Sequence, residues 1–399
     1  MMQKTLRLAA FVIVIGAAIG AASSCGGEKK APATPKPAAA KPAPAKPATT
    51  KAQPAPKATK APAPKATKAP APAPTPSVAN PFLGVWNITG TGQDAGNIYW
   101  LEVKETAGKL SGLFLNRTGH AMPLAVIKVQ GEELIFQGGT ADKPSGPEYH
   151  ATVANGRLLG WHTVAQRAPQ APAGAGAATS AAPAAPTQRT VSWSGIHPPV
   201  WPAANANGKH EYGAPVVLYD VTMKDKSPAD LFDVQNTRSP INWLIEDGLL
   251  TNKAPGGNNI ISKQKFSNFK VLVEYKLEPK SNSGIYLRGR YELQVLDDLK
   301  DTTTEKFLTQ AAIYGRTAPA KLASKAPGEW QSIEAVLVGN RVTVTLNGQK
   351  VHDNVAIIGV TGGTLDNDEL APGPLMIQGD HGRVWIRKIV VTPITTPGR

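Results

Sequence analysis

Short segments in which apolar and polar residues alternate recur along this chain from about residue 80 onward. Period-2 alternation is typical of β-strands, because successive side chains point to opposite faces of a sheet. No segment has the apolar spacing of a long amphipathic helix, and residues 228–232 predict at most one helical turn. The pattern therefore predicts an all-β protein, and it divides into two regions.

The first region, residues 79–213, contains eight predicted strands. Eight antiparallel strands joined by short turns can close into a small barrel, and Gly84-Val85-Trp86 resembles the G-x-W start of lipocalin-like barrels. Such a domain holds a small ligand or serves as a packing module, and the sequence does not decide between them. Residues 165–187, rich in Ala, Pro and Gly, predict a disordered insert. The predicted strands are 85–90, 98–105, 109–116, 124–129, 133–137, 149–153, 157–164 and 190–196.

The second region, residues 214–396, is also rich in strands. Asn347-Gly348 predicts the tip of a hairpin, because both residue types accept the positive φ angles of a type I′ turn. Irregularly spaced strands in such number favour a two-sheet sandwich of the jelly-roll type, in which one sheet is often concave and binds a ligand. The predicted strands are 215–219, 243–246, 248–251, 260–262, 269–277, 284–295, 331–338, 341–346, 350–354, 373–378 and 384–391.

The strand predicted at residues 284–295 carries unusual chemistry on one face. Its apolar face holds Ile285, Leu287, Tyr291, Leu293 and Val295. The opposite face, extended back by two residues, holds Asn282, Tyr286, Arg288, Arg290, Glu292 and Gln294. Guanidinium groups donate hydrogen bonds in a planar fork, whereas carboxylate and amide oxygens accept them. The row therefore fits a ligand dense in hydroxyls and carbonyls, or else a cross-strand ladder of ion pairs on an exposed face.

The formal net charge of +14 comes almost wholly from the N-terminal tail. Residues 1–78 contain twelve Lys or Arg and one acid, a net +11, which leaves +3 for the remainder. A nearly neutral folded part argues against a nucleic-acid partner. Residues 26–78, rich in Ala, Pro and Lys without large apolar side chains, predict a disordered linker that could also contact an anionic cell-wall polymer.

The N-terminus predicts export and lipid attachment. Lys4 and Arg7 precede an apolar and small-residue run at 8–22 that is too short for a comfortable membrane span. The following Ser23-Ser24-Cys25 resembles the end of the lipobox of bacterial lipoproteins, so residues 1–25 are predicted to be a signal peptide with Cys25 as the lipidated residue. Gly26, rather than Asp, favours the outer membrane over the inner one. Cys25 is the only cysteine of the chain, which excludes an intrachain disulfide and a multi-cysteine zinc site.

Seven segments of the second region occur together, in the same order, in a known family. Their order and spacing resemble the 3-keto-disaccharide hydrolase domain, a family once catalogued as a domain of unknown function and possessing a concanavalin-like jelly-roll fold. The resemblance covers residues 214–393, under half of the chain. The segments are 242–250, 262–274, 282–298, 312–319, 328–331, 346–348 and 378–389.

The resemblance implies cleavage of a glycosidic bond in a sugar that carries a ketone at C3. Such a ketone acidifies the C2 hydrogen, so a base can remove it, the glycosidic oxygen leaves by elimination, and water then adds to the product. Glu292 or His381 is the implied base, and Tyr314 or the other member of that pair is the implied acid. Arg288, Arg290 or Lys263 could stabilise the enolate oxygen. The full expected set of substrate-binding residues is Lys263, Glu274, Asn282, Arg288, Arg290, Gln294 and Gln378.

Several alternatives stay open. No cofactor is certain, but a divalent metal on Glu292, Asp380 and His381 could replace the Arg donors. Glu292 and Asp297 resemble two acids of the β-glucanase strand signature, although five positions separate them and only a β-bulge would bring both to one face. The domain could also bind glycans without cleaving them. Residues 366–369 are acidic and predict an exposed loop rather than a Ca²⁺ site.

Taken together, these patterns predict a protein that is secreted across the inner membrane and anchored by lipid in the outer membrane, at its periplasmic face or on the cell surface. Its predicted partners are a carbohydrate substrate and the membrane. The balance favours a hydrolase or lyase acting on glycosyl bonds over a glycan-binding protein.

Overall fold

The computed structural model of the protein describes residues 80–166, 187–253, 257–300 and 303–398. Nearly all regular structure in these ranges is antiparallel β-sheet, which confirms the predicted all-β class. The predicted signal peptide with Cys25, the linker at 26–78 and residues 167–186 of the predicted insert lie outside the described residues. No helix in the described part is both long and apolar enough to cross a bilayer.

The N-terminal domain is one nine-stranded sheet. Eight of the strands match the predicted ones closely, and a two-residue strand is added before the predicted strand at 124–129. A 3-10 turn at Gly92–Asp94 follows the first strand. The strands are β1 Gly84–Gly90, β2 Ile98–Thr106, β3 Lys109–Asn116, β4 Met122–Pro123, β5 Val126–Gln130, β6 Glu133–Thr140, β7 Lys143–Ala154, β8 Arg157–Ala165 and β9 Gln188–Ile196.

The order of these strands is β4-β3-β2-β1-β9-β8-β7-β6-β5. Strands consecutive in sequence therefore pair, except β4 and β5 at the two ends of the order, and the first and last strands, β1 and β9, pair with each other. The segment between β4 and β5 forms hydrogen bonds to β3 and to β6, which lie near opposite ends of this strand order. Leu124 donates its backbone N–H to Gly112 O on β3 (3.0 Å), and Ala125 donates to Gln137 O on β6 (2.9 Å). The inside is filled by aromatic side chains, including the stacked pair Phe136 and Tyr149. This filling favours the packing role, while the lipocalin-like barrel stays a prediction.

The C-terminal domain has two sheets that enclose one apolar core, as a jelly-roll sandwich requires. It contains one short helix, α1 Pro228–Leu231, and 3-10 turns at Val221–Met223 and Lys306–Leu308. Its strands are β10 Glu211–Tyr212, β11 Val216–Asp220, β12 Phe232–Val234, β13 Trp243–Glu246, β14 Leu249–Asn252, β15 Ile260–Phe266, β16 Phe269–Leu277, β17 Asn282–Leu287, β18 Tyr291–Leu296, β19 Gln331–Val338, β20 Arg341–Leu346, β21 Gln349–Ala356, β22 Gly373–Ile377 and β23 Val384–Thr396.

The larger sheet has the order β13-β14-β23-β16-β19-β20-β21, and β10 and β11 also pair with β23. The smaller sheet has the order β12-β15-β22-β17-β18. Along β16 every second side chain is buried, from Phe269 to Leu277, which fixes the face that meets the smaller sheet. Burying one such side chain stabilises the fold by about 1.5–3 kcal/mol, so a shift of register by one residue would be costly. The hairpin at Asn347-Gly348 is confirmed, with φ angles of 51° and 78°.

The predicted single strand over residues 284–295 is wrong, because the segment is the hairpin β17–β18 with its turn at 288–290. Leu287 lies opposite Tyr291, four positions later, so the even spacing keeps both on the same face. The alternation of faces therefore continues through the turn. Residues 285, 293 and 295 face the core, whereas 286, 292 and 294 face the other side of the smaller sheet.

Candidate functional site

A polar cavity of about 420 Å³ lies on the face of the smaller sheet that points away from the core. This volume falls in the range of sites for small molecules, roughly 300–1,000 Å³. Polar side chains dominate the lining, as a ligand rich in hydroxyls would require. The lining residues are Thr118, Gly119, Gln235, Asn259, Asn282, Tyr286, Glu292, Gln294, Tyr314, Gly362, Gly363, Gln378, Asp380 and His381.

The hairpin β17–β18 supplies the floor of this cavity. Tyr286 and Glu292 are directly opposite each other in the antiparallel register, so their side chains meet on the same face. Gly284 lies on the same face of β17, two residues before Tyr286. It leaves space for the Glu292 side chain, because a Cβ atom on residue 284 would lie 2.3 Å from Glu292 Oε1. The hairpin thus places one carboxyl group in the centre of the polar face.

Glu292 is buried, with only 3% of its surface exposed, and no cationic side chain pairs with it among the described ion pairs. Burial raises the pKa of Glu292 to about 8, and this effect outweighs a hydrogen bond from the Tyr286 hydroxyl, which favours the ionised form. The same hydroxyl lies 3.0 Å from the carbonyl oxygen of Gly362 and can donate to it instead. Glu292 is therefore protonated over much of the neutral pH range.

Three amide side chains around Glu292 have oxygen atoms that are buried without a hydrogen-bond partner among the described residues. They are Asn282 Oδ1, Gln294 Oε1 and Gln378 Oε1. A buried, unpaired polar atom costs about 1–3 kcal/mol, so folded proteins rarely retain several in one place. Their shared position in one cavity indicates groups that are held for a polar ligand.

Asp380 and His381 form the rim of the cavity. His381 Nδ1 lies 2.7 Å from Asp380 Oδ1, and each side chain is about half exposed. The hydrogen bond to Asp380 raises the pKa of His381 above its usual value, and partial burial opposes it. Because Nδ1–H donates to Asp380 in the neutral tautomer, Nε2 remains able to accept a proton.

Tyr314 forms a side wall of the cavity. Its backbone N–H donates to Glu292 O (3.0 Å), and the neighbouring Ile313 pairs with Leu293, so this segment runs along the edge of β18. Burial, followed by the charge of Glu292, raises the pKa of the Tyr314 hydroxyl. Tyr314 is thus a protonated hydroxyl at neutral pH, beside the carboxyl group.

The hypothetical metal set of Glu292, Asp380 and His381 is not assembled as a chelating group. Among the residues that the structure describes, no three His, Cys, Asp or Glu side chains are placed to hold a metal ion. His381 Nδ1 is directed to Asp380 rather than to a point shared with Glu292. These residues do not fit a resident metal, and the chemistry derived below uses none.

The structure does not bring Arg288 and Arg290 to the cavity, contrary to the prediction that they contact substrate. Both lie in the turn of the hairpin, and each is 2% exposed. Arg288 donates to the carbonyl oxygens of Glu369 and Gly339, and Arg290 pairs with Asp366 (2.5 Å) and donates to Ala371 O (2.8 Å). Both guanidinium groups are therefore used within the protein, because the turn directs them sideways into the neighbouring loops.

Lys263 and Glu274 also lie away from the cavity, contrary to the prediction. Lys263 Nζ donates to Ala229 O (3.1 Å) on an exposed surface. Glu274 belongs to β16 of the larger sheet and pairs with Arg387 (2.8 Å). Asp297, the second acid of the β-glucanase comparison, accepts the backbone N–H of Lys280 (2.8 Å) and caps a turn outside the cavity. Of the predicted site, the cavity thus contains Glu292, His381, Tyr314, Asn282, Gln294, Gln378 and Asp380.

The sequence did not identify several lining residues as part of the site. Tyr286 lay in the polar row but was not selected, although its position opposite Glu292 follows from the hairpin. Gln235 and Asn259 lie at the ends of β12 and β15, and their side chains are hydrogen-bonded to each other (2.7 Å). Thr118 and Gly119 belong to the N-terminal domain, and no local signal could have found them because their position depends on domain packing.

Solved structures similar to this chain include two candidate glycosyl hydrolases from Parabacteroides distasonis. One is 25% identical with a TM-score of 0.38 and matches 49% of this chain and 92% of its own length; the other is 20% identical with a TM-score of 0.36 and matches 46% and 100%. A carbohydrate binding module, CBM66, from Bacillus subtilis is 13% identical with a TM-score of 0.24, over 42% and 95%. No curated protein sequence matches the chain.

Residues 225–392 match the family model described as a 3-keto-alpha-glucoside-1,2-lyase-like domain. This range contains β12 to β22 and most of β23, and it includes every cavity residue except Thr118 and Gly119. The match agrees with the resemblance seen in the sequence and identifies a carbohydrate-active domain. The family match is thus confined to residues 225–392, which resemble the 3-keto-alpha-glucoside-1,2-lyase-like domain and make up under half of the chain.

Proposed function

We propose that the C-terminal domain cleaves 3-keto-glycosides by elimination followed by hydration, with His381 as base and Glu292 as acid. The observation that carries the proposal is Glu292, the buried carboxyl group of the cavity, whose pKa is raised to about 8 and which lies among amide side chains whose oxygens have no partner in the described residues. Ordinary two-carboxylate hydrolysis needs a second acid at a fixed separation, whereas elimination beside a ketone needs one acid and one base.

His381 is suited to remove the C2 proton. Asp380 accepts the Nδ1 hydrogen bond and so holds the ring with Nε2 free. When Nε2 takes the proton, the C2–H electrons form the enolate with the C3 carbonyl, and Asp380 stabilises the imidazolium that results. A histidine oriented by a carboxylate at a cavity rim is a frequent arrangement for a general base.

Glu292 is suited to protonate the leaving oxygen. As the enolate returns to a ketone, the C1–O bond breaks and a C1=C2 double bond forms, while the departing oxygen takes the proton of Glu292. Water then adds at C1: Glu292, now ionised, accepts a proton from this water, and His381 returns its proton to C2. Both residues end in their starting states, and the products are the free alcohol and a 3-keto sugar.

The enolate oxygen needs hydrogen-bond donors, and the cavity offers neutral ones instead of the predicted Arg residues. Amide groups of Asn282, Gln294 and Gln378 and the Tyr286 hydroxyl all lie on the cavity surface. Donors fixed by the sheet before substrate arrives cost little reorganisation when charge develops. Neutral donors also leave the Glu292 carboxyl protonated, which an adjacent Arg would oppose.

The test compares two chromogenic substrates, a 4-nitrophenyl 3-keto-glucoside and the matched glucoside with a C3 hydroxyl, each deuterated at C2. We expect release of nitrophenol from the keto substrate only, and more slowly with deuterium. Part of the label should be lost to solvent, because the half-exposed His381 imidazolium can exchange its proton before it returns one to C2. His381→Ala should lower kcat by 100-fold or more on the keto substrate while folding normally. Glu292→Gln should do so on a methyl 3-keto-glucoside, whose alkoxide needs a proton to leave, and much less on the nitrophenyl substrate, whose phenolate leaves without one. Equal cleavage of both substrates with retention of deuterium would indicate ordinary glycoside hydrolysis, using Glu292 and the nearby Asp380.

A glycan-binding protein without activity is the competing function. Wild-type protein that binds glycosides by calorimetry but releases no product from any of them would establish that function in place of ours. The rates should also be measured with and without EDTA. We expect EDTA to leave them unchanged, because the described residues of the cavity are not placed to hold a metal ion.

We further propose that Cys25 carries a lipid that places the domain at the bacterial outer membrane. The support is the sequence of residues 1–25 alone. Metabolic labelling with an alkyne fatty acid should modify the wild-type protein and not Cys25→Ser, and membrane fractionation should follow the label. Equal labelling of both proteins would contradict the proposal.

A further inference from the structure

We propose that the loop Arg117–His120 of the N-terminal domain is a specificity-determining wall of the catalytic cavity, which restricts the enzyme to short glycosides or chain ends. This inference rests on the function proposed above. The loop connects β3 to β4, and two of its residues, Thr118 and Gly119, line the same cavity as Glu292. The N-terminal domain would then act on substrate directly, in addition to its packing role.

The first support is the closeness of the loop to the segment 362–363, which lines the cavity from the C-terminal domain. Gly363 donates its backbone N–H to Arg117 O (2.9 Å). A Cβ on residue 362 would lie 1.9 Å from Gly119 O, so only a glycine allows this approach of the two backbones. The wall is therefore continuous across the boundary between the domains, and no groove for a long chain can leave the cavity at this point.

The second support is the position of His120. Its ring packs against Phe307, with ring centres 5.7 Å apart, and against the cavity residue Tyr314, at 6.2 Å and nearly perpendicular. Edge-to-face packing at such distances is favourable and restricts the orientation of both rings. His120 thus connects the loop to the side wall of the cavity, and through Tyr314 to the neighbourhood of Glu292.

The third support is that buried polar contacts fix the two domains relative to each other. Glu369 is 2% exposed, and its carboxylate accepts hydrogen bonds from Asn87 Nδ2 on β1 and from the Tyr291 hydroxyl on β18, both at 2.7 Å. The Arg316 guanidinium lies 3.7 Å from the ring centre of Trp100 on β2. Removing a hydrogen-bond partner from a buried carboxylate is costly, so these contacts hold the N-terminal domain against the C-terminal one. The loop, as part of the N-terminal domain, is therefore in place before substrate binds.

The chemistry of the loop fits a sugar. Thr118 and Gly119 both line the cavity and are exposed, so the loop offers one hydroxyl-bearing side chain and otherwise backbone. A hydroxyl donates and accepts hydrogen bonds as sugar hydroxyls do, and the small residues leave room for a ring. His381 and Asp380 line the same cavity and are half exposed, so substrate can enter beside them, and we infer that its far end meets the loop.

The test uses Thr118→Trp, which narrows the cavity from the N-terminal side, with Thr118→Ser as the conservative variant. Thr152→Trp, on an exposed strand position of the same domain, is the matched control for the effect of a surface tryptophan. The substrates are a methyl 3-keto-glucoside, a 3-keto-disaccharide and a 3-keto-trisaccharide. We expect Thr118→Trp to lower kcat/KM at least tenfold for the larger two and less for the methyl glycoside, and Thr118→Ser and Thr152→Trp to leave this order unchanged.

Equal effects of Thr118→Trp and Thr152→Trp on all three substrates would overturn the proposal. A wild-type enzyme that cleaves a trisaccharide internally would overturn it as well. If the wild-type protein cleaves none of these substrates, the proposed function fails, and the loop is then judged by calorimetric binding of the same glycosides. Weaker binding of the larger ones by Thr118→Trp alone supports the wall, and equal binding by all variants refutes it.

Discussion

The backbone of Gly284 passes so close to the carboxyl group of Glu292 that a Cβ atom on residue 284 would lie 2.3 Å from Oε1. The position of the proposed acid thus depends on the absence of a side chain on the neighbouring strand. The φ angle of Gly284 is not in the left-handed region, so alanine is compatible with its backbone.

Gly284→Ala should therefore displace the Glu292 carboxyl group while the protein still folds. A misplacement of about 1 Å can reduce the rate about 100-fold, so we expect a fall in kcat of this order. Urea unfolding should show a loss of stability of about 1 kcal/mol or less, because the end of a flexible side chain can move. Gly213→Ala, whose added Cβ would meet only an ordinary contact at 3.4 Å, is the control. Full activity in Gly284→Ala would show that the position of Glu292 is not critical.

The pH profile of kcat/KM should be bell-shaped. Activity falls as the pH rises through about 8, because Glu292 must be protonated to act as an acid. Activity also falls at lower pH, where His381 becomes protonated and cannot act as a base. Since the hydrogen bond to Asp380 raises the pKa of His381, Asp380→Asn should move the acidic limb of the profile to lower pH. A profile that rises steadily above pH 8 would instead make Glu292 the base.

The stability of the protein should also depend on Glu292 and pH. Its pKa is raised in the folded state, from 4.5 to about 8, so the unfolded state loses this proton first as the pH rises. Folding is therefore penalised increasingly between pH 4.5 and 8, and fully above 8. Glu292→Gln removes the penalty, so its Tm should exceed that of the wild type at pH 9, with the difference disappearing near pH 4. Equal differences in Tm at both pH values would contradict a raised pKa.

The side-chain oxygen of Gln294 has no hydrogen-bond partner in the described residues, and we expect it to lower the free energy of unfolding while it serves ligand binding. Gln294→Leu has a similar size and removes a buried oxygen without a partner, so the free energy of unfolding should rise or stay unchanged while activity falls. Gln310 is the control, because its amide accepts from the Leu296 backbone and bonds to the Tyr275 hydroxyl. Gln310→Leu should be destabilising by about 1–3 kcal/mol. Strong destabilisation by Gln294→Leu would indicate a structural role.

Arg290 should be important for folding rather than for substrate. Arg290→Met keeps the length of the side chain but loses the ion pair to Asp366 and the hydrogen bond to Ala371 O. We expect the free energy of unfolding to fall by about 2–3 kcal/mol, with KM unchanged in the folded enzyme. Denaturant unfolding and steady-state kinetics separate these effects. A large increase in KM at unchanged stability would restore the predicted contact with substrate.

The polar row in residues 282–294 shows how far sequence alone could lead. Alternation assigned Glu292 and Gln294 to one face correctly, because the turn between β17 and β18 preserves the two-residue period. Because the two-residue period continues through the turn, nothing in the sequence pattern indicated the turn, and Arg288 and Arg290 were predicted on a strand face. In the structure their guanidinium groups donate hydrogen bonds to loops far away in sequence. Family resemblance found the segment with Asp380 and His381. Neither source could locate Thr118, whose place in the cavity depends on how two domains pack.

The acidic segment 366–369 was predicted to be an exposed loop, and Glu369 is instead buried between Asn87 and Tyr291. Charge and composition describe an isolated segment, whereas partners from distant strands decide whether a carboxylate can be buried. Asp366, in contrast, stays half exposed and pairs with Arg290. Asp366 and Glu369 thus had different outcomes although their partners Arg290 and Tyr291 are adjacent, because Glu369 gains a second partner, Asn87, from a strand 282 positions away.

Strand β23 pairs with β10, β11, β14 and β16, so four earlier strands depend on residues 384–396. During synthesis, the larger sheet of the C-terminal domain cannot close until the ribosome has reached the end of this strand. The N-terminal sheet, built from sequential hairpins, can be complete nearly 200 residues earlier, once β9 has emerged. Exposed edges of β14 and β16 are then open to aggregation while the nascent chain waits, which makes this domain the part of the molecule with the greater need for a chaperone.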